Sequence, residues 1–243
     1  MAAKKLVGRQ SGKLDNETKE RLRLANIIKH LVKIFTPESI EIELYFGSGS
    51  LSNKIGKSMP EANTLLNILE DYVNGAIIQN HRIVNRRLLM TELQLKWGLS
   101  PFESALPDSL FAQLHMNFLD LHYYAICIDK IDKLQRKLIE RLSPLAHGAI
   151  NNDEIRLKRS SAENCLKQAL TPVADARNYL EHIEEHIAKG DFEGMTIETS
   201  ENASKFTYGA GNEKHTINLS SLEQIKKTYE AVVEYISVLP DAE

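Results

Sequence analysis

Cysteine is scarce in this chain, which has only Cys127 and Cys165. Both fall in apolar helical patterns, as small buried thiols do in a reducing cytosol. Two are too few for a disulfide framework or a cysteine-rich zinc site. Long apolar runs are also missing: none approaches the ~18 residues that span a bilayer, so no membrane span is expected. The opening MAAKKLVGRQSGKLDNETKE has no hydrophobic stretch. It reads as a flexible basic arm over residues 1–14 rather than a signal peptide, which with the reduced thiols points to the cytoplasm. Nor does one sign of charge dominate: the formal net charge is -3, so nothing draws the whole chain to nucleic acid, and any such function must rest on a local patch. What remains is an ordinary globular composition, 42% hydrophobic and 26% charged, without internal repeats or low-complexity segments.

Helical periodicity dominates the rest. A first amphipathic helix runs from about Asp15 to Phe35 and ends at Thr36-Pro37. IEIELYF, Ile40 to Phe46, alternates apolar and acidic residues as a short strand does, and GSGSLSNKIGKSMP reads as loop. A long helix should begin near Pro60 and reach about Leu95, with Leu65, Leu69, Tyr72, Ala76, Ile83 and Leu88 on its apolar stripe. Another is predicted from about Ser109 to Leu142, capped by Asp108 and stopped by Ser143-Pro144. A further helix starts near Asp153. Thr171-Pro172 then restarts a helix that Gly190 ends. MTIETS, KFTYGA and KHTINL alternate like strands, and IEIELYF could pair with them. Ser220 or Ser221 caps a last helix, with Glu223 or Gln224 placed for a capping box. The expected fold is mainly α, an up-and-down bundle of four to five helices. It forms one domain over residues 15–243, with a small antiparallel β insertion at about 195–218 before the last helix.

The restarted helix carries ARNYLEHIEEHIAKG, a concentration of titratable groups with three readings. It can be a solvated face, in which Glu181, Glu184 and Glu185 pair with lysines such as Lys189 and Lys167. That accounts for the glutamates but less well for Arg177, which lies at the edge of the buried stripe, where its head should emerge between core and open surface. It can be a metal site: HIEEH matches H-x-x-E-H, and a zinc hydrolase would use His182, Glu185 and His186. A catalytic zinc also needs a third protein ligand beside an open position, and no second acidic helix motif stands out. Or it can be a catalytic pair formed by Arg177 and His182.

RNYLEH, with Arg177, Asn178 as the following polar residue and His182, resembles the signature of the HEPN family. There an arginine precedes a histidine by a few residues in a late helix of a helical bundle. The resemblance covers about residues 60 to 190 plus the last helix. It implies a metal-independent endoribonuclease without a cofactor, of the toxin or defence kind. In that chemistry a 2'-hydroxyl attacks its own phosphodiester and leaves a 2',3'-cyclic phosphate. A histidine exchanges protons at neutral pH, and an arginine stabilises the charge of the phosphorane. Arg177 and His182 are the expected catalytic residues, with Asn178 in support. On an ideal helix, Arg177 and His182 stand about 140° apart, while Asn178 lies one turn below His182. The resemblance further implies a homodimer whose two motif helices meet at a two-fold axis, with RNA as substrate and an antitoxin or regulatory protein as a further partner. Glu184 stands where antitoxin-modified members carry a tyrosine. A HEPN-like module that binds or dimerises without catalysis is the alternative.

RNA also needs cations. HRIVNRR supplies Arg82, Arg86 and Arg87, IRLKRS supplies Arg156 and Arg159, and His186 follows the motif, so these are the candidate RNA-binding residues. Tyr123, Tyr124 and Tyr179 are candidates for stacking on bases.

Overall fold

A computed structural model describes residues 44–46, 48–55, 59–95, 98, 117–147, 152–164, 177–182, 185, 188–190, 195–200, 203–210 and 213–241. Its elements, in order, are α1 (Ser48–Ile55), α2 (Pro60–Leu95), α3 (Asn117–His147), α4 (Asn152–Asn164), β1 (Met195–Ser200), β2 (Ala203–Ala210), β3 (Glu213–Asn218) and α5 (Ser221–Val238). Residues 177–181 are helical as well. The protein is mainly α. The first expected helix, the Asp108 cap and the Thr171-Pro172 restart lie outside the described residues.

The framework is the pair α2 and α3. Asn63 N–H donates to Met59 C=O at 3.2 Å, which places Pro60 in the first turn, where its missing N–H is harmless. From there α2 runs 36 residues, about 54 Å at 1.5 Å per residue. It lies antiparallel to α3: Glu61 near its start pairs with Arg141 near the end of α3, and Arg86 pairs with Asp120 near its beginning. Leu66, Leu69, Val73, Ile77 and Ile83 of α2 meet Leu121, Ile128, Ile131 and Leu138 of α3 in the core. Among the described residues Ile83 is the last buried apolar side chain of α2, Val84 packs beside it, and Leu88 is exposed rather than buried. At the middle of the crossing stands Gly75, where a Cβ would come within 3.2 Å of Cys127 Sγ. The last helix, α5, closes the core with Ile225, Tyr229, Val232 and Ile236. It packs on α4, α2, α1 and α3.

β1, β2 and β3 form an antiparallel meander in that order. Two residues separate the paired ends Ser200 and Ala203, and two more separate Ala210 and Glu213. These are the spans of tight hairpins. Buried Ile217 and Leu219 tie the end of the meander to the core. Asn80 Nδ2 of α2 donates to Leu219 C=O at 2.9 Å.

Four sequence expectations are corrected. Residues 44–46 belong to no strand. The side-chain amide of Asn74 brackets Tyr45 instead, accepting from its N–H at 2.9 Å and donating to its C=O at 2.8 Å. The Tyr45 ring leans on Tyr229 at 4.8 Å. Secondly, Ser48–Ile55 is helix rather than loop, because Ile55 reaches the core and Leu51, one turn earlier, packs against it. Lys54 Nζ donates to Ser237 C=O in the last turn of α5. Tertiary burial there overrides the weak helix propensity of glycine and serine. Thirdly, Pro144 does not stop α3, which continues to His147. Its ring costs one hydrogen bond in the last turn, while Leu145 and Ala146 pack on the core and Arg159 Nη1 donates to Ser143 Oγ at 3.0 Å. Finally, α5 has no capping box. Ser220 makes no side-chain cap bond, and its N–H donates to Asn218 Oδ1 at 3.0 Å. Ser221 Oγ is spent on Asn218 C=O at 2.6 Å and on Tyr124 OH at 2.8 Å.

Candidate functional site

RNYLEH is docked by its apolar members. Leu180 and Tyr179 are buried, and the Tyr179 ring sits 4.7 Å from that of His215 on β3. That anchorage turns Arg177, Asn178, Glu181 and His182 toward the outside. Arg177 lies at the boundary, with 21% of its side chain accessible. Its Nη1 pairs at 3.2 Å with Asp129 Oδ2, a side chain of α3 that is itself 10% accessible. Its other edge, Nε and Nη2, donates to Glu181 Oε1 at 2.9 and 2.7 Å. One arginine thus spans two carboxylates, one from the interior side and one from the surface side.

The helix tightens as it reaches His182. The His182 N–H bonds to Tyr179 C=O at 3.2 Å, and the Glu185 N–H bonds to His182 C=O at 3.0 Å. Both are three-residue turns, in which side chains three apart eclipse. Asn178 is exposed, and its side chain has no hydrogen-bond partner among the described residues. The imidazole is held from the other direction, with Nδ1 at 3.3 Å from Glu185 Oε1. For a neutral ring the carboxylate accepts, so Nδ1 carries the proton and Nε2 keeps its lone pair. His182 is 61% accessible. Glu185 also faces Lys189 Nζ at 4.0 Å, and Gly190 ends the segment with φ +75.

Of the residues named for RNA binding, Arg86 is buried, and its guanidinium is bonded to Asp120 in the core. Burial holds it below its ordinary pKa, with Arg82 adding to the effect. Arg82 is exposed, 3.9 Å from the same carboxyl group. Arg156 faces Asp153 at 3.1 Å. Arg159 donates to Glu163 at 2.8 Å, a bond that raises its pKa. Arg87 is half-buried and has a partner of its own. His186 lies outside the described residues. Tyr124 is buried, and its phenol is pushed up to about 12 by that burial. Tyr179 is buried too, so Tyr123 is the tyrosine of the three that offers a face to solvent.

Comparison with protein-family models, curated proteins and solved structures finds no match. The site therefore stands on its own geometry. Among the described residues no three His, Cys, Asp or Glu side chains gather to hold a metal ion. No helix among them is long and apolar enough to cross a membrane. Asp129 is the site residue that sequence reading missed. Its signal was present but faint: it lies in DKIDKLQRK beside the buried Ile128 and Ile131, at the margin where a charged side chain can turn toward a neighbouring helix.

Proposed function

We propose that this chain is a HEPN-like helical protein whose RNYLEH segment is one half of a metal-independent endoribonuclease site, completed in a homodimer. The observation that carries the reading is the way two reactive groups are held on one short segment. Asp129 fixes the inner edge of Arg177 at 3.2 Å. Glu185 holds Nδ1 of His182 while the rest of the ring is open to solvent. His182 Nε2 takes the proton of an RNA 2'-hydroxyl, whose oxygen attacks the adjacent phosphorus. Arg177 stabilises the charge that gathers on the phosphorane. A two-fold partner supplies a second histidine to protonate the departing 5'-oxygen. For phosphate to reach the outer edge of Arg177, Glu181 must let go. A toxin or defence role, restrained by an antitoxin or regulatory protein, follows the same resemblance.

The chemistry requires a 2'-hydroxyl. The purified protein should cut an RNA oligonucleotide to fragments ending in 2',3'-cyclic phosphate and leave the 2'-deoxy and 2'-O-methyl versions whole. Cutting all three equally would contradict the mechanism.

A second reading has one observation in its favour. Glu181 fills the fork of Arg177 with a carboxylate from the same helix, as in a bundle that binds or dimerises without catalysis. Under it, freeing the fork with Glu181→Gln leaves RNA uncut. Under the nuclease reading, the same substitution raises the cleavage rate.

A further inference from the structure

The solvent face of α3 carries Lys130, Lys133, Lys137 and Arg141 at spacings of three, four and four, opposite a face buried on Ile128, Ile131, Leu138 and Leu142. Such spacing sets the cations in one row along the helix, about 5–6 Å apart for each turn. That is close to the step between phosphates of an extended single strand. Lys133 and Arg141 are paired with carboxylates, at 2.8 Å to Asp129 and 3.3 Å to Glu61. Lys130 and Lys137 have no such partner among the described residues, so their charges are uncompensated by close contact.

The row is continuous with the RNYLEH segment. Asp129 Oδ2 is shared, with Lys133 Nζ at 2.8 Å and Arg177 Nη1 at 3.2 Å. Seven residues before Lys130, on the same face, Tyr123 exposes 57% of its surface. At the far end Lys137 and Arg141, together with Glu61 and Glu140, line a groove of about 590 Å³ against the first turn of α2. A basic row with a stacking ring at one end and a groove at the other fits a single-stranded polyanion.

We infer that α3 is the substrate track of this protein: single-stranded RNA lies along Lys130, Lys133 and Lys137, with a base on Tyr123, and so brings a phosphodiester to Arg177. The inference rests on the nuclease reading for what happens at Arg177 but not for binding itself. Each lysine that contacts a phosphate releases counterions, so loss of two should lower the slope of log affinity against log salt by about 1.4.

The test measures binding of labelled oligo-dT, which cannot be cleaved through a 2'-hydroxyl, to the full chain over a salt series. The double variant Lys130→Ala/Lys137→Ala should bind about tenfold more weakly at the lower salt and show the shallower slope. The charge-matched control Lys226→Ala/Lys227→Ala on α5 should bind like wild type. Tyr123→Ala should weaken binding without changing the slope. Equal losses in the two double variants, or none in either, would overturn the track. So would binding of polyglutamate along Lys130 and Lys137 without binding of oligo-dT, since the face would then belong to an acidic protein. Oligo-dT binding that follows the track while RNA stays uncut would uphold the track and reject the nuclease reading. Cleavage of oligo-U unaltered by Lys130→Ala/Lys137→Ala would do the reverse.

Discussion

Asp129→Asn keeps the shape of the side chain and removes its charge, so it isolates the bond that fixes Arg177. In the folded protein Asp129 holds Arg177 at 3.2 Å and Lys133 at 2.8 Å. A hydrogen bond to a charged group is worth about 1.5–3 kcal/mol when water is largely excluded. Lys133 is 54% accessible, so its pair is screened and falls in the range of about 0–1 kcal/mol. The Arg177 pair, with 21% and 10% accessibility, keeps most of its value. Asp129→Asn should therefore cost about 2–3 kcal/mol in urea unfolding and lower the melting temperature by roughly 4–12 °C. Lys133→Ala should cost less than about 1 kcal/mol. Combined with Arg177→Ala, Asp129→Asn should show a coupling energy of at least about 1 kcal/mol in a double-mutant cycle. A variant within about 0.5 kcal/mol of wild type, or additive losses from the two substitutions, would refute the claim that Asp129 anchors Arg177.

Arg86→Ala leaves the Asp120 carboxylate buried without its main counter-ion and should destabilise by about 3–5 kcal/mol, whereas Arg82→Ala, at an exposed pair, should cost less than about 1 kcal/mol; chemical denaturation of both variants checks the contrast. Burial raises the Cys127 thiol from its ordinary 9.0 to about 11. The unfolded chain then loses this proton first, so stability is fully present below pH 9.0 and falls as pH rises toward 11. Cys127→Ala should remove the early part of that decline in urea melts taken across the alkaline range. Gly75→Ala adds a methyl 3.2 Å from Cys127 Sγ. In the Cys127→Ala background that contact is gone, so the substitution should stabilise α2 by up to about 1 kcal/mol through helix propensity; the wild-type background should show a smaller gain or a loss.

The long helices were legible because their apolar residues recur at helical spacing and their ends carry clear signals, Pro60 at the start of α2 above all. The three strands were legible for the same kind of reason, with period two and turn residues between them. What stayed hidden was decided by tertiary contact. IEIELYF has a strand's alternation, yet at its described end, residues 44–46, Tyr45 finds its backbone partners in the side chain of Asn74. Ser48–Ile55 looks like loop until Ile55 and Lys54 meet the core and the end of α5. At the site, the sequence placed Arg177 at a boundary of the core, as found, but could not say which carboxylates would hold it. Glu181 was visible as an i+4 neighbour, while Asp129 is 48 positions away from Arg177 and became its partner only through the packing of the motif segment near α3. Arg86, read as a surface cation, turned inward because Asp120 is buried opposite it.

The proposed function joins Arg177 and His182 in one metal-independent catalytic pair. Its most direct test is cleavage of a mixed RNA pool by the purified chain in excess EDTA, beside folded Arg177→Ala and His182→Ala variants. The wild type should cleave, and each variant should lose that activity by a factor of about 10² or more. Undiminished cleavage by either variant, or activity that appears only when zinc is restored, would contradict it.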